Sequence, residues 1–289
     1  MSRITYYDLE LEDLGKVYWS RNTCKTRFAL NLKNIPYDTE WLTFNEVAKV
    51  IPSKTKTGAR PTVPIIEDKE TQKVIQDSWE IVNYLEEAFP DSPSAFHGNQ
   101  GIHKFFQSQC EKNIAFPIFK MVVLTVGNAC GPFKQSFRET REGYFNMSLE
   151  KLAGQPEDHA PDLKKGLEPI HEVLKSYPFV TGNQAGWADV VLAAHLNFLE
   201  KLKPELFQAY VLDVFDDDIL LNWWKRVEYI HQINEFLTQV LEKEKSTSST
   251  PISEANEQNS FEEEDGEEED GEEALEIENR PEALENQNC

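Results

Sequence analysis

The stretch Arg60–Trp79, RPTVPIIEDKETQKVIQDSW, decides the fold of this 289-residue chain. Its β-branched run is interrupted by Pro64, which cannot donate a hydrogen bond to a β-ladder and would disrupt a central strand. Two short strands are therefore predicted, one from Pro64 to Glu67 and one from Lys73 to Ile75, joined by a polar turn. The stretch thus predicts a β-hairpin at the edge of a sheet.

The hairpin leads directly into a helix. Asp77 and Ser78 stand immediately before the apolar stripe that begins at Trp79, which is the pattern of an N-cap pair. Unpaired N–H groups at a helix N-terminus attract a carboxylate, and a strand edge can hold an extended peptide backbone. The stretch therefore predicts a binding site for a small acidic peptide.

Strands and helices alternate through the first ninety residues. The predicted elements before the hairpin are a strand from Ile4 to Leu9, a helix from Asn22 to Lys33, a strand from Tyr37 to Thr43 and a short helix from Asn45 to Ile51. With the hairpin and its helix the order is βαβαββα, a thioredoxin-like order with a small mixed sheet and a right-handed first connection. The proline-rich segment 89–93 ends this domain, which is assigned to residues 1–90.

Helical periodicity dominates after His97. The candidate helices run from about Gln100 to Thr125, Phe133 to Leu152, Pro161 to Ser176, Ala188 to Leu202 and Asp216 to Glu244. The apolar residues of the last one recur every three or four positions, which is typical of a helix that packs against a core. An all-helical domain is therefore assigned to residues 97–245, so the fold class is α+β followed by all-α.

One carboxylate in the helical domain has a structural interpretation. Asp189 follows Gly186 by three residues at the start of the apolar helix in GNQAGWADVVLAAHL. A carboxylate at this position can accept hydrogen bonds from the N–H groups of the entering loop, as in a capping box. Asp189 is expected to be buried and structural and is not a candidate catalytic acid.

The formal charge of −22 is unevenly distributed along the chain. Residues 246–289 contain 16 Asp and Glu against a single Arg280. This segment has too little apolar content to offset its ordering entropy, so it is predicted to be a disordered acidic tail. The acidity also argues against nucleic-acid binding, which requires a basic face.

The cysteines and the N-terminus indicate a reduced cytoplasmic protein. The four cysteines, at positions 24, 110, 130 and 289, form neither a CxxC pair nor a metal-ligand spacing. The N-terminal residues lack the apolar segment of a signal peptide, and no apolar run reaches the roughly 18 residues of a membrane span. We expect no metal, no nucleotide and no membrane contact.

Taken together, these motifs resemble the cytosolic glutathione S-transferase superfamily over residues 3–242. The segment WSRNTCKTRFALNLKNIPYDTEW (residues 19–41) is similar to the fungal etherase-related (FuA-type) transferases, which carry W-S-x-N-x-x-K-T-R at the first helix. The resemblance implies a glutathione-binding first domain, a helical second domain that contacts an apolar substrate, and a homodimer. Glutathione is a small acidic peptide, as the hairpin and helix require. The acidic tail has no counterpart in that family pattern.

The resemblance also implies roles for individual residues. Ser20 would stabilise the glutathione thiolate at the N-terminus of the first helix, although capping of that helix is the alternative role. Pro64 would be cis and would present the Val63 backbone to the cysteinyl part. Ser78 would bind the γ-glutamyl carboxylate and Asp77 its α-amine. Candidate cations for the glycine carboxylate are Arg60, Lys56 and Lys49.

Two departures from the family pattern lie beside Ser20. Arg21 stands where these families usually have proline, and Cys24 lies one helical turn beyond Ser20. Cys24 is expected to pack against the sheet as a small apolar residue.

Three functions remain open at this point: conjugation of glutathione to an apolar electrophile, non-catalytic ligand binding or scaffolding, and glutathione-dependent thiol reduction through Cys24. The electrophile would contact Asn22, Thr23, Phe116, Phe119 and Met121.

Overall fold

Four strands form one mixed sheet in the order β2–β1–β3–β4 in a computed structural model that describes residues 2–55 and 61–232. The strands are β1 (Ile4–Leu9), β2 (Tyr37–Leu42), β3 (Ile65–Asp68) and β4 (Lys73–Gln76). β1 is parallel to β2 and antiparallel to β3, and β3 is antiparallel to β4. The hairpin predicted from the opening stretch is therefore confirmed, and β4 lies at the edge of the sheet.

Three helices complete the first domain, and their order confirms the predicted βαβαββα arrangement. They are α1 (Arg21–Leu32), α2 (Phe44–Thr55) and α3 (Ser78–Ala88). Helix α1 begins after Ser20 and α3 after Asp77, so both start at residues whose side chains accept backbone hydrogen bonds. The short helix predicted at Asn45 extends four residues further than expected, to Thr55.

One apolar cluster fixes α1 and α3 against the sheet. It contains Ile4 and Tyr6 of β1, Leu30 of α1, Ile66 of β3 and Ile81 of α3, all with no exposed surface. Each fully buried large apolar side chain contributes about 1.5–3 kcal/mol relative to an exposed one. The cluster therefore holds α1 and α3 against the sheet.

The remaining named elements among the described residues are helices and short helical turns. The elements are α4 (Gln100–Cys110), a π-helical turn (Glu111–Ala115), α5 (Phe116–Ala129), a 3-10 turn (Gly131–Phe133), α6 (Lys134–Phe145), α7 (Leu149–Ala153), α8 (Pro156–Ser176), α9 (Trp187–Leu202), α10 (Pro204–Phe207), a second π-helical turn (Gln208–Leu212), α11 (Ile219–Arg226) and α12 (Glu228–His231). No single helix in this part of the chain is long and apolar enough to cross a membrane, and one pair, Gln100–Ala129 with Gly131–Phe145, reaches that length only with a bend of 116°.

The predicted helix from Phe133 to Leu152 is wrong because it is interrupted. Asn146 ends α6 in the left-handed conformation, with φ 51° and ψ 39°. Ser148 then caps α7, because its hydroxyl accepts a hydrogen bond from the Lys151 amide at 3.3 Å. Asparagine tolerates positive φ better than most residues, so it ends a helix that the apolar periodicity would continue.

Two other predicted helix boundaries are corrected. Helix α8 begins at Pro156, five residues before the predicted start, because Gln155 and Asp158 form a capping box and proline is favoured at the first helical position. The predicted helix from Asp216 to Glu244 is broken at Val227, which separates α11 from α12. Its residues beyond 232, and the predicted acidic tail, lie outside the described residues.

The structural interpretation of Asp189 is confirmed. The side chain has no exposed surface and accepts hydrogen bonds from the amides of Val180 (2.8 Å), Thr181 (3.2 Å) and Gly186 (3.2 Å). It also accepts hydrogen bonds from the Thr181 hydroxyl at 2.6 Å and from the Trp223 indole N–H at 2.9 Å. Asp189 therefore connects the loop before α9 to the N-terminus of α9 and to α11.

Candidate functional site

Three chain segments meet at one end of the sheet. Tyr7 near the end of β1 lies opposite Ile65 at the start of β3, and Ile65 lies opposite Gln76 at the end of β4. Because β2 is parallel to β1, α1 must run back along the sheet and so begins near the end of β1. The topology therefore places Ser20, the segment before β3 and Ser78 at the same end of the sheet.

The segment before β3 carries a peptide bond with an unusual geometry. The Val63–Pro64 bond is cis, as the resemblance implies. Within residues 2–55 and 61–232, neither the amide nor the carbonyl of Val63 has a hydrogen-bond partner. Backbone polar groups of buried residues are nearly always paired, so these two groups are available to an extended ligand backbone.

Two hydrogen bonds join this segment to the start of α3. The Asp77 amide donates to the Pro64 carbonyl at 3.4 Å, and the Gln76 side-chain amide donates to the Thr62 carbonyl at 2.9 Å. The structure therefore brings together the Val63–Pro64 bond and the Asp77–Ser78 pair, which the sequence placed thirteen residues apart.

Asp77 and Ser78 differ in whether their polar groups are hydrogen-bonded within the described residues. The Asp77 carboxylate accepts the Trp79 amide at 2.8 Å and the Glu80 amide at 3.4 Å, with the backbone at φ 78°. This positive φ is rare outside glycine and marks a locally constrained residue. In the described part of the chain the amide and the hydroxyl of Ser78 have no partner. These two donors, at the positive end of α3, can bind a carboxylate.

Ser20 is the N-cap residue of α1 and is buried. Its Oγ accepts a hydrogen bond from the Thr23 amide, but at 3.5 Å this contact is longer than the usual 2.7–3.2 Å. The hydroxyl proton has no acceptor among residues 2–55 and 61–232. Capping and binding of a thiolate are therefore compatible, because the oxygen accepts from Thr23 while the O–H remains free to donate.

Other predicted site residues differ in their placement. Arg60 and Lys56 lie outside the described residues, and Lys49 lies exposed on α2. Of the predicted substrate contacts on α5, Phe116 keeps 42% of its surface exposed and stacks on Phe145. Phe119 and Met121 are buried, so Phe116 offers the most exposed apolar surface of the three.

Cys24 is fully buried where α1 packs against α9. The Asn197 side-chain amide lies 3.5 Å from its sulfur. Burial raises the pKa of the Cys24 thiol well above its usual value. Since the thiolate is the nucleophile in thiol–disulfide exchange, this environment disfavours a redox role for Cys24.

The sequence analysis missed an ionic cluster beside Ser20. Arg21 and Lys25 of α1 both bind the carboxylate of Glu111, the first residue of the π-helical turn. The available signal was that α1 carries three cationic residues and no acidic one, so an acidic partner had to come from elsewhere in the chain.

A cavity of about 210 Å³ lies between α4 and the start of α9, and its lining includes none of Ser20, Val63, Pro64, Asp77 and Ser78. It is lined by Phe96, His97, Asn99, Ile102, His103, Phe106, Val180, Thr181 and Ala188. No group of three or more His, Cys, Asp or Glu side chains among the described residues is arranged to hold a metal ion.

Comparison with known proteins identifies both halves of the chain. Residues 14–93 match the glutathione S-transferase N-terminal domain, and residues 101–229 match the glutathione S-transferase C-terminal domain. The glutathione S-transferase-like protein ustS of Aspergillus flavus is 24% identical over 245 residues, which cover 73% of this chain and 85% of that protein.

Solved structures of fungal transferases show the same fold. Glutathione transferase GSTFuA3 from Phanerochaete chrysosporium is 25% identical with a TM-score of 0.69, and the match covers 81% of this chain and 99% of that one. The glutathione S-transferase CsGST83044 of Ceriporiopsis subvermispora, solved in complex with glutathione, is 26% identical with a TM-score of 0.62, and the match covers 84% of this chain and all of that one. With a thioredoxin-like domain, a helical domain and a family match to each, the chain belongs to the glutathione S-transferase family.

Proposed function

We propose that the protein conjugates the thiolate of glutathione to an apolar small-molecule electrophile. The observation that carries this proposal is the set of unpaired groups at one end of the sheet: the Val63 backbone, the Ser78 amide and hydroxyl, and the Ser20 O–H. Glutathione has a peptide backbone, a carboxylate and a thiol that these groups would bind in turn. The solved relative with bound glutathione supports the choice of ligand.

Each group has a defined chemical task in this proposal. The Val63 amide and carbonyl pair with the cysteinyl residue of glutathione, and Ser78 binds the γ-glutamyl carboxylate at the N-terminus of α3. Asp77, whose carboxylate lies beside Ser78, attracts the α-amine. Arg60 is proposed as the cation for the glycine carboxylate.

Ser20 acts on the sulfur in this scheme. Its O–H donates to the thiolate, and the positive end of α1 adds to the stabilisation, so the thiol loses its proton to solvent more readily than the usual cysteine pKa of about 8.5 allows. The sulfur then forms a bond to the electrophilic carbon, and the electron pair of the broken bond leaves with the departing group. The nucleophile belongs to the cosubstrate, so no covalent enzyme intermediate forms.

The electrophile is proposed to be apolar because an exposed aromatic surface is available on α5 and α6. Phe116 stacks on Phe145 with ring centroids 6.0 Å apart, and Tyr144 packs edge-on against Phe145 at 4.8 Å. Phe116 and Tyr144 both keep more than two-fifths of their surface exposed. An aromatic or aliphatic substrate would bury this surface.

Replacing Ser78 with alanine should weaken glutathione binding by about 10- to 100-fold, because a hydrogen bond to a charged group contributes about 1.5–3 kcal/mol. Titration calorimetry of the purified chain with glutathione measures this. Ser92→Ala is a matched control, because the Ser92 hydroxyl donates only to the Phe89 carbonyl at the far end of α3. Equal affinity in wild type and Ser78→Ala would contradict the proposed glutathione position.

We also propose that the protein is a homodimer. Ile102 and Phe105 on the outer face of α4 are 60% and 63% exposed, and apolar side chains exposed to this degree on one helix favour association. Light scattering on the purified chain should give twice the chain mass, and Phe105→Glu should lower it towards that of one chain. The mass of a single chain in the wild type would contradict the dimer.

A further inference from the structure

Two cations share one carboxylate at the start of α1. Arg21 Nη1 lies 2.8 Å from Glu111 Oε2, and Lys25 Nζ lies 2.7 Å from Glu111 Oε1. The side chains of Arg21 and Lys25 are only 11% and 4% exposed, while that of Glu111 is 34% exposed. The cluster therefore contains two positive charges and one negative charge in a largely buried position.

The other titratable groups around Glu111 do not balance this charge. His195 of α9 lies 3.6 Å from the Glu111 carboxylate, but burial lowers the pKa of His195 to about 3, so it is neutral at physiological pH. Cys110 precedes Glu111, and burial raises the pKa of its thiol well above the usual value, so it is neutral too. Burial alone would raise the pKa of the Glu111 carboxyl. The positive charges of Lys25 and Arg21 instead hold this pKa well below its usual range, so the carboxylate stays ionised. The cluster keeps a net charge of +1.

This charge lies next to the group that faces the sulfur in the proposed function. Arg21 directly follows Ser20, and Lys25 lies one helical turn further along α1. Glu111 opens a π-helical turn between α4 and α5, and π-turns in a long helix occur frequently at functional sites. The turn begins at the residue that holds both cations, so the helical domain fixes the excess charge beside the N-terminus of α1.

We propose that the excess positive charge of Arg21, Lys25 and Glu111 stabilises the glutathione thiolate at Ser20. The inference rests on the proposed function and names positioning residues for it: none of the three side chains needs to touch the sulfur. At an effective dielectric constant of about 20, a positive unit charge about 10 Å from an acid lowers the pKa of that acid by about one unit. The cluster thus adds to the hydrogen bond from Ser20 and to the helix N-terminus.

Substitutions that change or restore the net charge of the cluster distinguish an electrostatic role from a purely structural one. Lys25→Gln leaves one positive and one negative charge, so the thiol pKa of bound glutathione should rise by about one unit. The double variant Lys25→Gln/Glu111→Gln leaves Arg21 alone, which restores the net charge of +1 because arginine remains protonated. Its thiol pKa should return to the wild-type value although two partners of the network are lost. The measurement is the ultraviolet absorbance of the thiolate in the glutathione complex as a function of pH.

A matched control removes a different buried ion pair of α1 and tests whether any such loss changes the thiol pKa. Lys33, at the opposite end of the helix, pairs with Glu86 at 2.7 Å and is 1% exposed. Lys33→Gln should leave the thiol pKa unchanged. If Lys25→Gln does not fold, Arg21→Gln produces the same charge balance and the same expected rise.

The outcomes separate this inference from the proposed function. A folded Lys25→Gln variant with the wild-type thiol pKa, or a double variant shifted as far as the single one, would overturn the inference while leaving glutathione conjugation intact. A wild-type protein that binds no glutathione would overturn both.

Discussion

Replacing Ser20 with alanine is expected to lower kcat/KM for glutathione conjugation by about 100- to 1000-fold, the usual effect of removing one donor to a developing or stabilised anion. The Ser20 oxygen accepts only a long hydrogen bond from Thr23, so its proton is available to the sulfur. The variant should raise the thiol pKa of bound glutathione towards its solution value, with little change in glutathione affinity. Steady-state kinetics across a range of pH, together with calorimetry, measure both effects.

Cys24→Ser is the control for this prediction. Cys24 lies on the next turn of α1 and is fully buried, so its conservative replacement should leave the pH–rate profile unchanged. A Ser20→Ala variant with full activity would remove Ser20 from the mechanism. Loss of disulfide-reducing or deglutathionylating activity in Cys24→Ser, with an unchanged fold, would instead favour the thiol-reductase alternative.

Replacing Asp189 with alanine is expected to lower the free energy of unfolding by about 3–5 kcal/mol, because several buried donors would lose their acceptor at once. The donors are three backbone amides, the Thr181 hydroxyl and the buried indole N–H of Trp223. A loss of this size is typical of a broken buried network and far exceeds that of an ordinary surface substitution. Urea denaturation of the purified chain measures it.

The matched control for Asp189 is Asp158. It occupies the same third helical position in α8, where its carboxylate accepts the Gln155 amide at 3.0 Å, but it is exposed to solvent. Asp158→Ala should cost no more than about 1 kcal/mol. Similar losses in the two variants would show that burial and the link to Trp223 contribute little.

Local signals account for the parts of the fold that the sequence predicted well. The strand Ile4–Leu9 and the start of α3 after Asp77 depend on β-branched runs and capping residues that act within a few positions. The capping role of Asp189 also follows from a three-residue spacing. In each case the interacting groups are close along the chain, so the sequence pattern contains the necessary information.

Tertiary contacts account for what could not be predicted. The pairing of Arg21 with Glu111 joins residues 90 positions apart, and no periodicity specifies which acidic residue meets α1. The break at Asn146 depends on a left-handed residue within an otherwise helical pattern. The cis bond at Pro64 follows from the family resemblance and not from its local sequence, since most X–Pro bonds are trans.

Conjugate formation by the purified full-length protein is the most direct test of the central claim. The protein is incubated with glutathione and a panel of apolar electrophiles, such as activated aryl halides, benzyl halides and isothiocyanates, and the products are identified by mass. We predict a conjugate for at least one class, formed above the buffer rate and saturable in glutathione. The absence of every conjugate, together with no calorimetric binding of glutathione, would contradict the account.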